Sequence, residues 1–210
     1  MSAALSVRFT RAEPAPALLR AQLGRPLMAA LGKRLEIALR SHFEKRNAAP
    51  NKHGWPRSNF WNRRIRDNTA LQEVTGTTAT VAIADPAMAQ KIHGGPIVPK
   101  ERQYLSVPAR GEAYGRSPRL FDDLKFIPLR RGDLAGMLVR EGDLPALRKG
   151  AKVAYYFLLG KVDQQPDPDA LPKPADLSQA LKHEGDEYIA RITALAGGTQ
   201  AVAAASEFLE

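Results

Sequence analysis

The chain has 210 residues, 44% hydrophobic and 25% charged, which is enough for one or two globular domains with a core. It has no cysteine, which excludes disulfides and thiolate metal sites, and its four scattered histidines are a poor zinc site. No apolar run reaches the length of about 18 residues that a membrane span needs. Charged residues also stand where a signal peptide would be apolar. We therefore expect a protein made in a cytoplasm, without a membrane partner.

The formal net charge of +9 is unevenly distributed along the sequence. Residues 1 to 66 contain fourteen Lys/Arg and three Asp/Glu, whereas residues 67 to 210 contain seventeen Lys/Arg and nineteen Asp/Glu. Because a concentrated field speeds association with the opposite charge, the N-terminal third predicts contact with nucleic acid or an acidic protein surface. A solvated basic helix face is the alternative.

The first predicted elements are a strand and a long helix. Leu5 to Thr10 alternates apolar and polar residues, the pattern of a strand with one buried face. From Pro26 to about Arg46, apolar residues recur every three or four positions and the opposite face is basic, which predicts an amphipathic helix. Residues 50 to 66 then interleave two Trp and one Phe with five Lys/Arg and one His. This segment fits either a single-strand nucleic-acid contact or a loop anchored by its Trp residues.

The middle of the chain is predicted to be mainly strands. Residues 77 to 84 alternate and are β-branched, and Asp85 and Pro86 then favour the start of a short helix through residue 92. Residues 97 to 98 and 103 to 107 are predicted to pair as a hairpin. A turn and a short helix follow in residues 112 to 124.

Three further strands are predicted, at Lys125 to Arg130, Gly136 to Arg140 and Val153 to Val162. Pro128 indicates an edge position for the first of them, because proline cannot donate a ladder hydrogen bond. The last is the most apolar stretch of the chain, so we expect it at the centre of the sheet or in a subunit interface.

Residues 164 to 176 contain four prolines and are predicted to be a linker. Asp176 then caps a predicted helix from Leu177 to about Leu195, interrupted by Gly185. The predicted organisation is an α+β domain at 1–163, a Pro-rich linker at 164–176, a C-terminal helix at 177–196, and a tail at 197–210 to which we assign no function.

No arrangement of residues typical of an enzyme stands out. The stretch GGPIVPK lacks the Walker pattern, and its prolines remove backbone N–H groups that a phosphate loop needs. His93 has no recognisable nucleophile or carboxylate partner. Capping or solvation explains the acidic clusters, which are Asp122/Asp123, Asp167/Asp169 and Glu184/Asp186/Glu187. We predict no enzyme activity, no cofactor and no metal; a metal-dependent nuclease using Asp122, Asp123 and His93 is a remote rival.

Five segments occur in order between residues 27 and 172: LMAALGKRLEIALRSHFE, PNKHGWPRSNFW, TATVAIADPAMAQKIHGG, PIVPKERQYLSVPARGEAYGRSPRLFDDLKFIPL and KVAYYFLLGKVDQQPDPDALP. With them the chain, from about Leu27 to about Leu195, resembles the virion-morphogenesis proteins of tailed bacteriophages and Mu-like prophages, which act in the neck where head and tail join. The densest match is the fourth, with its strand reaching Leu-x-x-Pro and its Ala-Tyr-Gly step. The resemblance implies an α+β fold, with amphipathic helices packed on a small antiparallel sheet, and a structural role without active site or cofactor.

The resemblance further implies a hexameric or dodecameric ring in the neck of the virion, in contact with neighbouring connector and tail proteins and with the packaged DNA. A tail-completion or tail-terminator role is favoured; a head-closure protein or a basic DNA-binding protein outside the virion is the alternative. Residues expected to face the lumen, DNA or an acidic neighbour are Arg57, Arg63, Arg64 and Arg66. Residues expected at the subunit interface are Tyr104, Tyr114, Tyr155, Phe157 and Tyr188.

Overall fold

The computed structural model describes residues 3–8, 23–50, 53–55 and 58–197. The chain forms two compact units. Unit 1 comprises Met1–Glu44, Asn62–Met88 and Asp169–Glu210, and unit 2 comprises Lys45–Trp61 and Ala89–Pro168. Residues 1–163, which are predicted to form one domain, thus belong to both units. The chain returns from unit 2 to unit 1 between Pro168 and Asp169, inside the predicted linker.

The fold is α+β, as the sequence predicts, and every strand pairing in the described residues is antiparallel. The helices are α1 (Arg25–Ala48), α2 (Pro86–His93), α3 (Leu144–Arg148) and α4 (Pro174–Gly197). The strands are β1 (Ala3–Arg8), β2 (Thr69–Val74), β3 (Thr78–Ile83), β4 (Gly95–Ile97), β5 (Leu105–Pro108), β6 (Leu124–Arg131), β7 (Leu134–Arg140), β8 (Tyr156–Leu159) and β9 (Val162–Gln164). Among these helices, none has both the length and the apolar character needed to cross a membrane.

Unit 1 contains a three-stranded sheet in the order β1-β3-β2, with α1 and α4 packed on it. Leu27, Met28 and Leu31 of α1 meet Ala79 of β3 and Tyr188 of α4 in one buried cluster. The three- and four-residue spacing of the α1 residues brings them to a single helix face, as the periodicity predicts. Each such buried side chain contributes about 1.5–3 kcal/mol of transfer free energy.

Close packing between α1 and the sheet depends on Gly32. A Cβ at this position would lie 2.7 Å from Cδ1 of Leu71 and 2.8 Å from Cβ of Ala79. Both distances are well inside van der Waals contact. A glycine in the middle of α1, unfavourable for an isolated helix, therefore lets the helix approach β2 and β3 closely.

Unit 2 is built around a four-stranded sheet in the order β5-β8-β7-β6, with β4 and β9 forming a separate two-stranded sheet. The sheet residues Met137 and Val139 pack with Val153 and with α3. The cluster that includes Tyr156 contains Leu124 and Leu138 of the sheet. Strand β6, which carries Pro128, lies at an edge, and β8 lies in the interior, so both predicted positions are confirmed.

Other predictions for strands and helices need correction. The predicted hairpin of residues 97–98 and 103–107 is wrong, because β4 pairs with β9 and β5 pairs with β8. The predicted strand at 153–162 is two strands, since the chain turns at Gly160 between β8 and β9. Strand β2 was not predicted at all. Helix α4 begins at Pro174, inside the predicted linker, and continues through Gly185 without interruption.

Candidate functional site

The excess of positive charge lies in one of the two units and does not coincide with the N-terminal third of the sequence. Unit 1 contains thirteen Lys/Arg and thirteen Asp/Glu, whereas unit 2 contains eighteen Lys/Arg and nine Asp/Glu. The net charge of +9 therefore belongs to unit 2. The sequence alone places the excess in the N-terminal third. Ten of the fourteen basic residues of that third belong to unit 1, which also takes in the carboxylates of the later segments 67–88 and 169–210.

Two of the arginines predicted to face DNA or a partner are paired within unit 1. The predicted set is Arg57, Arg63, Arg64 and Arg66. Arg64 binds Asp85 through two hydrogen bonds, and Arg66 lies 3.0 Å from Asp67. Arg63 is exposed and has no carboxylate partner among the described residues. Arg57 lies outside the described residues. Of the three described, Arg63 is thus the arginine with most charge left for an external contact.

Aromatic side chains at the end of the 50–66 segment are held by contacts inside unit 2. The guanidinium of Arg46 lies 4.8 Å from the ring centre of Trp61 and pairs with Asp167. The ammonium of Lys91 lies 5.6 Å from the ring centre of Phe60. Cation–aromatic contacts of this kind stabilise by about 0.5–2 kcal/mol. For Trp61, the contact with Arg46 favours the interpretation that this side chain anchors the segment to the rest of unit 2.

The residues predicted at the subunit interface are found in different environments; they are Tyr104, Tyr114, Tyr155, Phe157 and Tyr188. Tyr188 is buried in the core of unit 1, and Tyr155 is buried in unit 2. Tyr104 and Tyr114 are half-buried. Phe157 on β8 is the most exposed of the five, at 37%. On β6, Phe126 and Leu129 are more exposed still, at 51% and 42%. Neither of them was predicted from the sequence as an interface residue.

A groove of about 700 Å³ opens on unit 2. Trp55 and Tyr114 contribute rings whose centres are 5.5 Å apart, and His53 stacks on Trp55 at 4.7 Å. The remaining lining residues are Gly54, Ser58, Arg110, Gly111, Glu112, Gly115 and Arg116. The Ala-Tyr-Gly step at 113–115 was noted only as part of the resemblance, and Arg110 and Arg116 were not singled out from the sequence. The available signal was the Arg–Gly step before Tyr114 and the Gly–Arg step after it.

Residues 110 to 116 form one wall of the groove. Tyr156 is hydrogen-bonded to the backbone of this segment. Its buried hydroxyl lies 3.1 Å from the carbonyl oxygens of both Ala113 and Arg116, and its single hydrogen is shared between these two acceptors. Gly115 has a φ of +72°, a conformation that other residues adopt only with strain, and it faces Ser58. This wall is therefore held in one conformation by the core of unit 2.

Tyr155 holds the acidic side chain of the groove. Its hydroxyl donates to the carboxylate of Glu112. The guanidinium groups of Arg110 and Arg140 lie 5.0 and 4.8 Å from the centre of the Tyr155 ring. Burial raises the pKa of Tyr155 above its usual value of 10.0, and the hydrogen bond to Glu112 raises the pKa further. Glu112 therefore has an internal partner, and Arg110 is positioned at the edge of the groove.

The acidic clusters and the histidine considered for metal or nuclease chemistry do not converge. Among the described residues there is no group of three or more His, Cys, Asp or Glu side chains that could hold a metal ion. Asp123 lies 3.6 Å from Arg140, and Asp167 pairs with Arg46. Glu187 lies 3.4 Å from His183, within α4. His93 is exposed at the end of α2. These contacts support roles in packing and solvation.

Neither the protein-family models, nor the curated proteins, nor the solved structures yield a match to this chain.

Proposed function

We propose that the chain is a structural protein of the neck of a tailed bacteriophage, where it joins head to tail as a subunit of a homo-oligomeric ring. The observation that carries the proposal is the ordered series of five segments between residues 27 and 172 that resembles the virion-morphogenesis proteins. The α+β fold is the one that this resemblance implies. The proposal places the protein in the virion, without catalytic activity, in contact with connector and tail proteins and with DNA passing through the ring.

The surface of unit 2 supports assembly. Strand β6 is an edge strand, and its Phe126 and Leu129 are exposed. Phe157, on the interior strand β8, is exposed as well, and the strand register places it on the opposite face of the sheet from Phe126. Large apolar side chains beside an edge strand are typical of surfaces that another chain covers. A second copy of unit 2 is the partner that a ring would supply.

The experiment that tests the proposal is electron microscopy of lysates from a phage or prophage that lacks only this gene. We expect filled or leaking heads that lie apart from tails. Tails of normal length would favour joining or head closure, and tails of abnormal length would favour tail termination. Normal infectious particles would refute the neck assignment and favour a DNA-binding protein outside the virion.

Complementation with variants of the gene tests the surface residues. Phe157→Asp should prevent joining if the β8 surface is a subunit contact, whereas Leu120→Asp, at a side chain 71% exposed in a turn, is the matched control. Arg63→Gln should lower the yield of DNA-filled particles if this arginine meets DNA or an acidic neighbour. Arg64→Gln cannot make this distinction, because it also breaks the pair with Asp85. Unchanged yields with Arg63→Gln would reject the role of Arg63.

A further inference from the structure

The groove on unit 2 combines aromatic rings with arginine side chains. We propose that it binds single-stranded nucleic acid, with a base stacked at the Trp55–Tyr114 pair and phosphates near Arg110 and Arg116. The proposal does not rest on the neck function and applies to the isolated chain.

The aromatic side chains supply the surface for a base. Trp55 and Tyr114 come from separate parts of the chain, and their rings meet at 5.5 Å with an angle of 57° between the planes. Both are half-buried, so each ring retains exposed area at the groove. Proteins that bind single strands without sequence preference stack bases on such side chains, because every base has an aromatic face.

The arginines supply the charge for phosphate. Arg116 is exposed, and no carboxylate of the described residues pairs with it. Arg110 lies 3.5 Å from Asp143 and 5.0 Å from the centre of the Tyr155 ring, so Arg116 is the arginine of the groove with most charge left for a ligand. The carboxylate of Glu112, the acidic residue of the groove, accepts a hydrogen bond from the hydroxyl of Tyr155. Two arginines and one carboxylate line the groove, so its lining has a small positive excess, on the unit that carries the whole excess of +9.

The groove wall is organised before any ligand arrives. Tyr156 holds the carbonyl groups of Ala113 and Arg116, and the left-handed conformation of Gly115 sets the turn between Tyr114 and Arg116. A ligand therefore meets an aromatic ring and a guanidinium whose backbone is already fixed. Binding in such a groove loses less entropy than binding that has to order a loop.

An acidic peptide is the competing ligand, since it would meet the same arginines. The paired aromatic rings favour nucleic acid, because a base can stack on them whereas Asp and Glu side chains have no aromatic ring. The discriminating probes are a twelve-nucleotide oligothymidylate and an oligo-glutamate of equal charge. An equal or tighter affinity for oligo-glutamate would overturn the proposal and identify an acidic protein surface as the ligand.

The two tryptophans of the chain provide the measurement. Trp61→Phe leaves Trp55 as the only indole, and Trp55→Phe leaves Trp61, which is held by Arg46. We expect oligothymidylate at low salt to quench the fluorescence of the Trp61→Phe protein and to leave that of the Trp55→Phe protein nearly unchanged. No quenching of Trp55 would overturn the proposal. Circular dichroism of both variants establishes that they are folded.

Labelled oligothymidylate then tests the other residues by fluorescence anisotropy. Tyr114→Ala should weaken binding about five- to 150-fold, the range found for removal of one stacking residue, and Tyr114→Phe should retain it. Arg116→Gln should weaken binding and lower the slope of log K against log salt by about 0.7, the value for one phosphate contact in a single strand. Arg119→Gln is the matched control, an exposed arginine outside the groove. Equal losses for Arg116→Gln and Arg119→Gln would show nonspecific attraction and reject the site.

Discussion

Arg64 and Asp85 form a two-point ion pair. Nε and Nη2 of Arg64 donate to Oδ2 and Oδ1 of Asp85 at 2.9 and 3.0 Å. Oδ1 of Asp85 also accepts the backbone N–H of Ala87 at 2.8 Å, in the first turn of α2. A buried carboxylate thus joins the Phe60–Ile65 helical segment to the start of α2.

Asp85→Ala should lower the free energy of unfolding by about 1–3 kcal/mol, because it removes a helix cap and leaves the guanidinium without this partner. Urea denaturation measures the change. Asp67→Ala is the control, since Asp67 pairs with Arg66 at a more exposed position and such pairs contribute about 0–1 kcal/mol. Equal losses in the two variants would contradict the importance of the Asp85 pair.

Two helical glycines of unit 1 should respond in opposite directions to substitution by alanine. Gly32→Ala should be destabilising by about 1–3 kcal/mol, because the new methyl group meets Ala79 at 2.8 Å and the backbone has to shift. Gly185→Ala should stabilise by up to about 1 kcal/mol, because the nearest neighbour of the new methyl group, Leu31, is at 3.9 Å and alanine favours the helix. Thermal unfolding of both variants checks the signs. Stabilisation by Gly32→Ala would refute the close approach of α1 to the sheet.

Tyr156→Phe should lower the stability of unit 2 by about 1–2 kcal/mol. The substitution keeps the buried ring but leaves the carbonyl groups of Ala113 and Arg116 without their hydroxyl donor. Hydrogen exchange of the backbone amides in residues 110 to 116 should become faster, and urea denaturation gives the magnitude. Tyr104→Phe, at a half-buried position outside both buried clusters of unit 2, is the control. Unchanged exchange in the Tyr156→Phe protein would show that the hydroxyl does not hold the groove wall.

Alkaline pH should destabilise unit 2. Burial is the first cause of the raised pKa of both Tyr155 and Tyr156. Above about pH 10 the tyrosines of the unfolded chain lose their protons while these two keep theirs, so the folded state binds more protons and its stability falls as pH rises. Stability curves against pH test this expectation. The Tyr155→Phe/Tyr156→Phe double variant should lose less stability between about pH 9 and 11 than the parent chain.

Local patterns in the sequence were sufficient to predict α1, α2, β3 and the edge position of β6. Strand β2 was missed because its pairing with β3 shifts register between Leu71 and Glu73, which breaks the alternation that a regular strand would show. Pairing over long distances was missed for a different reason. The partner of β4 is β9, far along the chain, and no local pattern in residues 95 to 108 indicates it.

The candidate site was predicted only in part. Tyr114 and the aromatic segment containing Trp55 were singled out separately, but their meeting depends on tertiary structure. Arg110 and Arg116 were overlooked because an isolated arginine near glycine is common in turns. The position of the net charge was also unpredictable, since it depends on which chain segments fold together.

Segments of the two units alternate along the sequence, so the two units are completed at different times during synthesis. All residues of unit 2 have been synthesised once the chain reaches Pro168, before α4 is made. Unit 1 has to wait, because Leu27 and Leu31 near the beginning of the chain pack against Tyr188 near its end. Until α4 emerges, the apolar face of α1 lacks one of its partners. The nascent chain therefore leaves part of this face exposed until α4 has been made, and a chaperone can bind it during that interval.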